Sequence, residues 1–220
     1  MNRKSIAQEY YILATNENGY MPVMHQDESI AGIVAAGIMD LKLNGVITME
    51  NKKITVIKDI PNELSHIESL YTYLKQKSRT MNQLMNYYMV SIGSSMKKLT
   101  AELGESLLHD EMATKEKGGL FGHKTIYIPE KNHKEEMISI LKSAAAKEEN
   151  SPHDMALIYL LMETKNLYRY FTNEEFYELK SKRKKMKKNP QYKQLDDMLN
   201  YAGDLMFLVF IVVVIFFVVF

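Results

Sequence analysis

The stretch "ESIAGIVAAGIMDLKLNGVITMENKKITVI", residues 28–57, contains a change of periodicity. Its first half repeats apolar residues at intervals of three and four, which predicts an amphipathic helix. Alanines and glycines between them make this helix slim, so we expect it to pack closely against its neighbours. Asn44-Gly45 then ends the helix, and two β-branched runs around a turn at residues 50–53 predict a β-hairpin. A helix that leads into a hairpin suggests a winged-helix-like element.

Outside this stretch the sequence predicts mostly helices. Strands are expected at residues 111–115 and 124–129, which can pair as a second hairpin. The glycines between them supply a flexible tip that presents Leu120 and Phe121. Helices are predicted over residues 7–15, 62–78, 80–95, 96–110, 134–146, 152–168 and 173–188, with a last one from about Gln191 to the end. The predicted fold class is therefore mainly α, a single-domain helical bundle with two short β-hairpins.

The composition points to a cytoplasmic protein without cysteine chemistry. The 220-residue chain contains no cysteine, which excludes a disulfide framework, a thiolate nucleophile and a zinc–thiolate site. The N-terminal segment lacks the apolar core of a secretory signal peptide. We therefore expect the bulk of the protein to lie in the cytoplasm.

The sequence contains no pattern that is typical of a catalytic or metal site. The histidines are widely scattered, at His25, His66, His109, His123, His133 and His153, and we expect them on the surface. The chain lacks a G-x-S-x-G motif, a Walker A loop and a G-x-G-x-x-G motif. We therefore predict no catalytic residue, no metal, no cofactor and no enzymatic activity. An unrecognised hydrolase is an alternative, and it predicts a polar pocket that gathers histidines and carboxylates.

Positive charge is concentrated in one run, "KSKRKKMKK", residues 180–188. Without its seven basic residues, the net charge of the chain would fall from +1 to −6. Such a cluster beside a membrane binds anionic lipid, with about 1 kcal/mol per residue near the surface. A solvated helix end is one alternative, and nucleic acid is less favoured because no aromatic residue interleaves with the lysines. The candidate lipid-binding residues of the run are Lys180, Lys182, Arg183, Lys184, Lys185, Lys187 and Lys188.

Four segments, taken together, carry a family resemblance. They are "YYILATNENGY", "AGIVAAGIMDLKLNGVITMENKKITV", "GGLFGHKTIYIP" and "DMALIYLLMETKNLYRYF", and their order and spacing cover most of the chain. The chain resembles the Golgi phosphoprotein 3 family in its bacterial form. This resemblance implies a mainly helical peripheral membrane protein without catalysis. In eukaryotic members it implies binding of phosphatidylinositol 4-phosphate on Golgi membranes and adaptor work that sorts glycosyltransferases. It also implies that the hairpin at residues 111–129 contributes to self-association and membrane contact.

The lipid headgroup pocket is where this chain departs from the family. The eukaryotic pocket uses a tryptophan and several arginines, and this chain has no tryptophan. The matching positions fall near His25, Val34, Gly93 and Met96. These residues do not supply fixed cationic donors for a phosphate. The adjacent Lys97 and Lys98 are candidate lipid-binding residues that contribute charge without the fork geometry of arginine, so we expect a general attraction to anionic lipids.

The chain ends in "LMFLVFIVVVIFFVVF", residues 205–220, a run without charged or polar side chains. As a helix this run spans about 24 Å, against a hydrocarbon core of roughly 30 Å. It is either the central core helix of the domain, as the resemblance implies, or a membrane tail anchor, as its bulky side chains favour. We assign residues 1–202 to the Golgi phosphoprotein 3-like domain and residues 203–220 to an apolar C-terminal helix. Truncation at Gly203 separates the two, because only loss of a core helix unfolds the remainder.

These observations predict a non-enzymatic, lipid-associated adaptor or scaffold at the cytoplasmic face of a membrane. Its expected partners are anionic membrane lipids, a membrane-protein cargo and a second copy of the chain. The second copy would bind through the hairpin at residues 111–129, with Leu120 and Phe121 as contact residues. The alternatives are a winged-helix-like nucleic-acid binder that uses the same lysines, and a tail-anchored membrane protein without specific lipid binding.

Overall fold

The structure is a computed structural model that describes residues 3–90, 94–119, 123–147 and 150–186. The apolar helix predicted at residues 203–220 and the hairpin tip with Leu120 and Phe121 lie outside the described residues. The helices are α1 Ile6–Ala14, α2 Gln26–Leu43, α3 Glu68–Lys75, α4 Met81–Met85, α5 Ser94–His109, α6 Lys131–Ala146, α7 Pro152–Glu163 and α8 Asn173–Met186. The strands are β1 Ile47–Glu50, β2 Lys53–Val56, β3 Arg79–Thr80, β4 Ala113–Gly118 and β5 Lys124–Pro129. The described chain is mainly helical with two small antiparallel sheets, as predicted.

Helix α1 is buried on all sides. Each of its nine residues is buried, and the helix contacts α2, α5, α6 and α7. Its N-terminus begins with a capping box, in which the side chains of Ser5 and Gln8 bond each other's backbone N–H groups. The hydrophobic core of the described residues is therefore organised around this short helix.

Helix α2 packs closely against its neighbours α1 and α3 because it has glycines at the points of contact. At Gly32, an added Cβ atom would come within 2.0 Å of the hydroxyl oxygen of Tyr10 in α1. At Gly37, an added Cβ atom would come within 2.6 Å of the Cδ2 atom of Leu70 in α3. The prediction of a slim, closely packed helix is confirmed, because a larger residue at either position would push its neighbour away.

The first sheet contains three strands, one more than the predicted hairpin. Strands β1 and β2 pair antiparallel with Ile47 opposite Val56. In the turn between them, Asn51 and Lys52 have φ angles of 50° and 61°, which belong to a type I′ turn whose twist matches that of the strands. Strand β3 then pairs antiparallel with β2 through Arg79 and Thr80. A strand this short leaves no periodicity in the sequence, so it was not predicted.

Several helical segments differ from the predicted bounds; α6, for example, begins at Lys131 rather than at residue 134. The segment after Pro61 begins as a 3-10 helix over Asn62–Ile67 and continues as α3. Helix α7 begins at Pro152 with Ser151 as its N-cap, as predicted, but it ends at Glu163 rather than at Tyr168. Lys165 has a φ angle of 59°, and this left-handed conformation stops the helix.

The second sheet is the predicted hairpin of β4 and β5, with β5 at the predicted residues and β4 at Ala113–Gly118 rather than at residues 111–115. Its register runs from Ala113 opposite Pro129 to Gly118 opposite Lys124. The ring of Tyr127 packs against Gly104 of α5, where an added Cβ atom would lie 2.2 Å from the ring. The Tyr127 hydroxyl also donates a hydrogen bond to Glu105 Oε1 at 2.8 Å. The hairpin is therefore held against α5.

Candidate functional site

Residues 180–186 of the lysine-rich run form the second half of helix α8, whose charges are segregated along its length. At its start, the Thr172 N–H donates to Glu175 Oε2 at 2.7 Å, and the Glu175 N–H donates to Thr172 Oγ1 at 3.3 Å. Glu174 lies in the same first turn, while the basic residues follow in the later turns. Acids at the N-terminus and bases toward the C-terminus both match the helix dipole. The concentration of lysines is therefore compatible with a stable helix.

Two of the seven predicted cations are engaged on the inner face of α8. Lys182 Nζ donates to the carbonyl oxygens of Ala145 at 2.7 Å and Lys147 at 3.1 Å, at the C-terminal end of α6. Arg183 forms an ion pair with Glu163 of α7. These contacts hold α8 against α6 and α7, so the charge of both cations is less available to a ligand.

The opposite side of α8 presents an exposed aromatic residue and two exposed lysines. Tyr177 is 71% exposed, and Lys180 and Lys184 follow it at helical intervals and are also exposed. We call these three residues the outer face of α8. Lys180 Nζ lies 4.8 Å from the centre of the Phe176 ring, so the start of the lysine run is beside an aromatic side chain. Of the other predicted residues, Lys185 belongs to α8, and Lys187 and Lys188 lie outside the described residues.

The positions that match the family's headgroup pocket are poorly placed to bind a phosphate. Val34 is fully buried in α2, and Met96 is buried in α5. His25 is half-buried at the N-cap of α2, and Gly93 lies outside the described residues. For Val34 and Met96, the expectation that they supply no cationic donor agrees with their burial.

Lys97 and Lys98 are exposed in the first turns of α5. Their exposure leaves their charges accessible to a ligand. The predicted contact residues Leu120 and Phe121 lie outside the described residues, so their role stays a prediction.

A polar cleft of about 700 Å³ surrounds the N-terminal end of α1, and sequence reasoning missed it. Its lining includes Lys4, Asp40, His66, Asp110 and His153. The expectation that all histidines are surface residues is wrong for His66, which is only 7% exposed. Burial lowers the pKa of His66 to about 4, so the ring is neutral near pH 7. No local pattern could have revealed this site, because its residues are far apart in the sequence.

The cleft gathers histidines and carboxylates, as the hydrolase alternative predicts, but its main groups are already engaged. Ser5 Oγ lies 2.7 Å from His66 Nε2, yet it also accepts the Gln8 N–H as the cap of α1. The N–H groups of Ile6 and Ala7, which could otherwise stabilise an oxyanion, donate to the Asp40 carboxylate. The arrangement therefore serves to hold the start of α1, and the prediction that the protein is not an enzyme stays a prediction.

Two further properties apply to the described part of the chain. Within residues 3–90, 94–119, 123–147 and 150–186, no group of three or more metal-binding side chains is positioned to hold a metal ion. In the same ranges, no helix combines the length and apolar character needed to span a membrane.

Over the residues that the structure describes, the fold is mainly helical with two small antiparallel sheets. A comparison with protein-family models matches residues 6–202 to the family described as Golgi phosphoprotein 3 (GPP34). Because this match covers most of the 220 residues, the chain belongs to the Golgi phosphoprotein 3 family, and the resemblance predicted from the sequence is confirmed. A comparison with curated proteins found no match. The family is associated with the Golgi, which agrees with a peripheral position at a membrane.

Proposed function

We propose that the protein is a non-enzymatic adaptor that associates peripherally with the cytoplasmic face of a membrane by binding anionic lipid headgroups. Membership of the Golgi phosphoprotein 3 family supports the adaptor class and carries the proposal. The outer face of α8 supports the lipid contact, because Lys180 and Lys184 are exposed beside Tyr177. Tyrosine and lysine are both suited to a membrane surface, where an apolar stem is buried and a polar tip stays in water.

The proposed lipid specificity is for negative charge rather than for one headgroup. A site selective for a phosphorylated inositol needs donors in fixed positions, such as arginines that bind two oxygens at once. Val34 and Met96, at positions that match the family's pocket, are buried apolar residues. Exposed lysines on a helix act as mobile point charges, so they favour anionic membranes in general.

The partners proposed for the adaptor are a membrane-protein cargo and a second copy of the chain. The hairpin of β4 and β5 supports the second partner, because its contact with α5 through Tyr127 and Gly104 holds it in place. A held hairpin loses little conformational freedom on binding, which favours association.

Flotation with vesicles tests the lipid proposal in the full-length chain. We expect binding to vesicles of phosphatidylcholine with phosphatidylserine, and about 30-fold weaker partition for the variant K180Q/K184Q, since each lysine near an anionic surface contributes about 1 kcal/mol. The matched control is K52Q/K58Q, which removes two exposed lysines from the region of the first sheet. Equal binding of the native protein to neutral and anionic vesicles would overturn the proposal.

A nucleic-acid binder remains the second candidate because an exposed aromatic residue, Tyr177, precedes the exposed lysines of α8. Stacking of bases on an aromatic ring beside a basic surface is typical of single-strand binding. A gel shift at low salt that weakens as salt rises would support this candidate. Absence of a shift at low salt would remove it.

A further inference from the structure

We propose that a second surface, the apolar tip formed by Val23 and Met24, inserts into the bilayer interface when the protein docks on a membrane. This inference rests on the proposed function and adds a separate contact to it. Val23 is 90% exposed and Met24 is 85% exposed, the highest values among the large apolar side chains described. They are adjacent in a 3-10 turn, Val23–His25, directly before α2. Moving adjacent apolar side chains with this exposure out of water lowers the free energy. Single exposed apolar side chains, in contrast, are common on any protein surface.

The tip has a defined conformation because the preceding loop is hydrogen-bonded to itself. The Asn16 N–H donates to the Tyr20 carbonyl at 2.8 Å. The Asn16 side-chain oxygen accepts the N–H groups of Asn18 at 2.9 Å and Tyr20 at 3.0 Å. After the tip, the His25 N–H donates to the Pro22 carbonyl at 3.2 Å. A tip held in this way is presented to a surface without a large cost in conformational entropy.

The same loop is attached to the β4–β5 hairpin at the end where β4 stops at Gly118 and β5 begins at Lys124. Tyr20 Oη accepts the Gly119 N–H at 3.3 Å, and Lys124 Nζ lies 5.5 Å from the centre of the Tyr20 ring. Gly19, with a φ angle of 75°, lies against the side chain of Ile126. The apolar tip is therefore three residues from a tyrosine that is fixed beside an exposed lysine of the hairpin.

The groups around the tip match a membrane–water interface. Lys124 is exposed, and Lys117 is exposed in the adjacent cross-strand pair of the hairpin. Lysine and tyrosine extend their polar ends toward headgroups while their apolar parts stay near the acyl chains. The exposed acid Asp27, three residues after Met24, lies in the first turn of α2. Because a carboxylate stays in water, Asp27 limits the insertion to the tip itself.

A bilayer fits this tip better than a protein partner does. A stable protein interface buries about 800 Å² on each partner in a complementary surface. Two side chains on a protruding turn provide much less, and acyl chains accept them without a matching shape. We therefore assign the tip to the bilayer and not to a groove on another protein.

The absence of cysteine from the chain permits a direct test with full-length protein. A single cysteine introduced as M24C carries a polarity-sensitive fluorophore, and I140C on α6 places the same label at another exposed apolar position. On vesicles of phosphatidylcholine with phosphatidylserine, we expect a blue shift and quenching by lipid-attached nitroxide for the label at position 24. The label at position 140 should keep its aqueous spectrum. The variant V23S/M24S should partition about tenfold more weakly than the native protein.

The outcomes separate this inference from the proposed function. If the protein binds anionic vesicles while the label at position 24 stays aqueous, or if V23S/M24S partitions like the native protein, the tip does not insert and the inference is overturned. A blue shift that appears without vesicles as protein concentration rises would mean that the tip contacts a second copy, which also overturns it. If the protein binds no vesicle, the proposed function fails and the inference fails with it. Circular dichroism melts of the variants check that these exposed substitutions leave the fold intact.

Discussion

Helices α1 and α8 both have charged groups at their ends, but those groups have different partners. At α1 the charges come from other elements: Asp40 of α2 accepts the N–H groups of Ile6 and Ala7 at 2.8 Å each, and Arg169 donates to carbonyl oxygens at the other end. At α8 the basic residues belong to the helix itself, and its outer face is exposed. The difference separates charge that completes the fold from charge that is available to a ligand.

The charges at α1 are required because the helix is buried at both ends. The last carbonyl groups cannot be hydrated, so side chains must bond them. Arg169 reaches Ala14 and Thr15 at 3.1 Å each, and Lys134 Nζ donates to the same Thr15 carbonyl. Burial, together with the nearby positive charge of Arg169, lowers the pKa of Lys134 to about 8. An acid at the N-terminus and cations at the C-terminus also match the helix dipole.

The largest loss of stability in a test of this comparison is expected for a substitution at Asp40. The variant D40A leaves two buried N–H groups without their acceptor, which costs about 1–3 kcal/mol for each group. We expect the free energy of unfolding, measured by urea denaturation, to fall by about 3 kcal/mol or more. The control D27A removes an exposed acid from the first turn of α2 and should lower it by less than about 1 kcal/mol. Similar losses for the two variants would contradict the assignment of Asp40 to the fold.

A smaller loss of stability should distinguish the inner face of α8 from its outer face. The variant K182Q/R183Q removes the contacts to α6 and the ion pair with Glu163, so we expect a loss of about 1–3 kcal/mol in stability. The variant K180Q/K184Q should change stability by less than about 0.5 kcal/mol. Thermal unfolding of both variants measures the difference. If the outer-face variant lost as much stability as the inner-face variant, the lysines of the outer face would belong to the fold.

Local periodicity explains why much of the fold could be predicted from the sequence. The helix α2 and the hairpin of β1 and β2 are encoded by neighbouring residues, so their patterns predicted both correctly. Strand β3 forms through its pairing with β2, and α7 ends where Lys165 takes a left-handed conformation. Those features depend on contacts or backbone angles that hydrophobic patterns do not record.

The candidate site was predictable only as a concentration of charge. The run at residues 180–188 is evident in the sequence, but the partners of Lys182 and Arg183 come from α6 and α7. The polar cleft depends on Ser5 and His66, which are 61 residues apart in the chain. Long-range pairing decides which charged residues are engaged, so a single sequence could not divide α8 into its two faces.

The smallest effect concerns the polar cleft, where two buried groups titrate with opposite consequences for stability. Burial raises the pKa of Asp40 from 3.8 to about 6, against the opposing influence of the Ala7 and Ile6 N–H groups. Burial lowers the pKa of His66 from 6.5 to about 4. Between about pH 4 and pH 6, the folded state therefore retains a proton on Asp40 that the unfolded state loses. In the same window it lacks a proton on His66 that the unfolded state binds.

Linkage then fixes the sign of each contribution. As pH rises from about 4 to 6, Asp40 lowers stability and His66 raises it, so the two contributions largely cancel in the native protein. The variant H66Q removes the contribution of His66, and its stability relative to the native protein should increase as pH falls through this window. The variant D40N should show the opposite trend. Urea midpoints of the three proteins across the window measure both slopes, and three parallel curves would show that these groups do not titrate as their burial predicts.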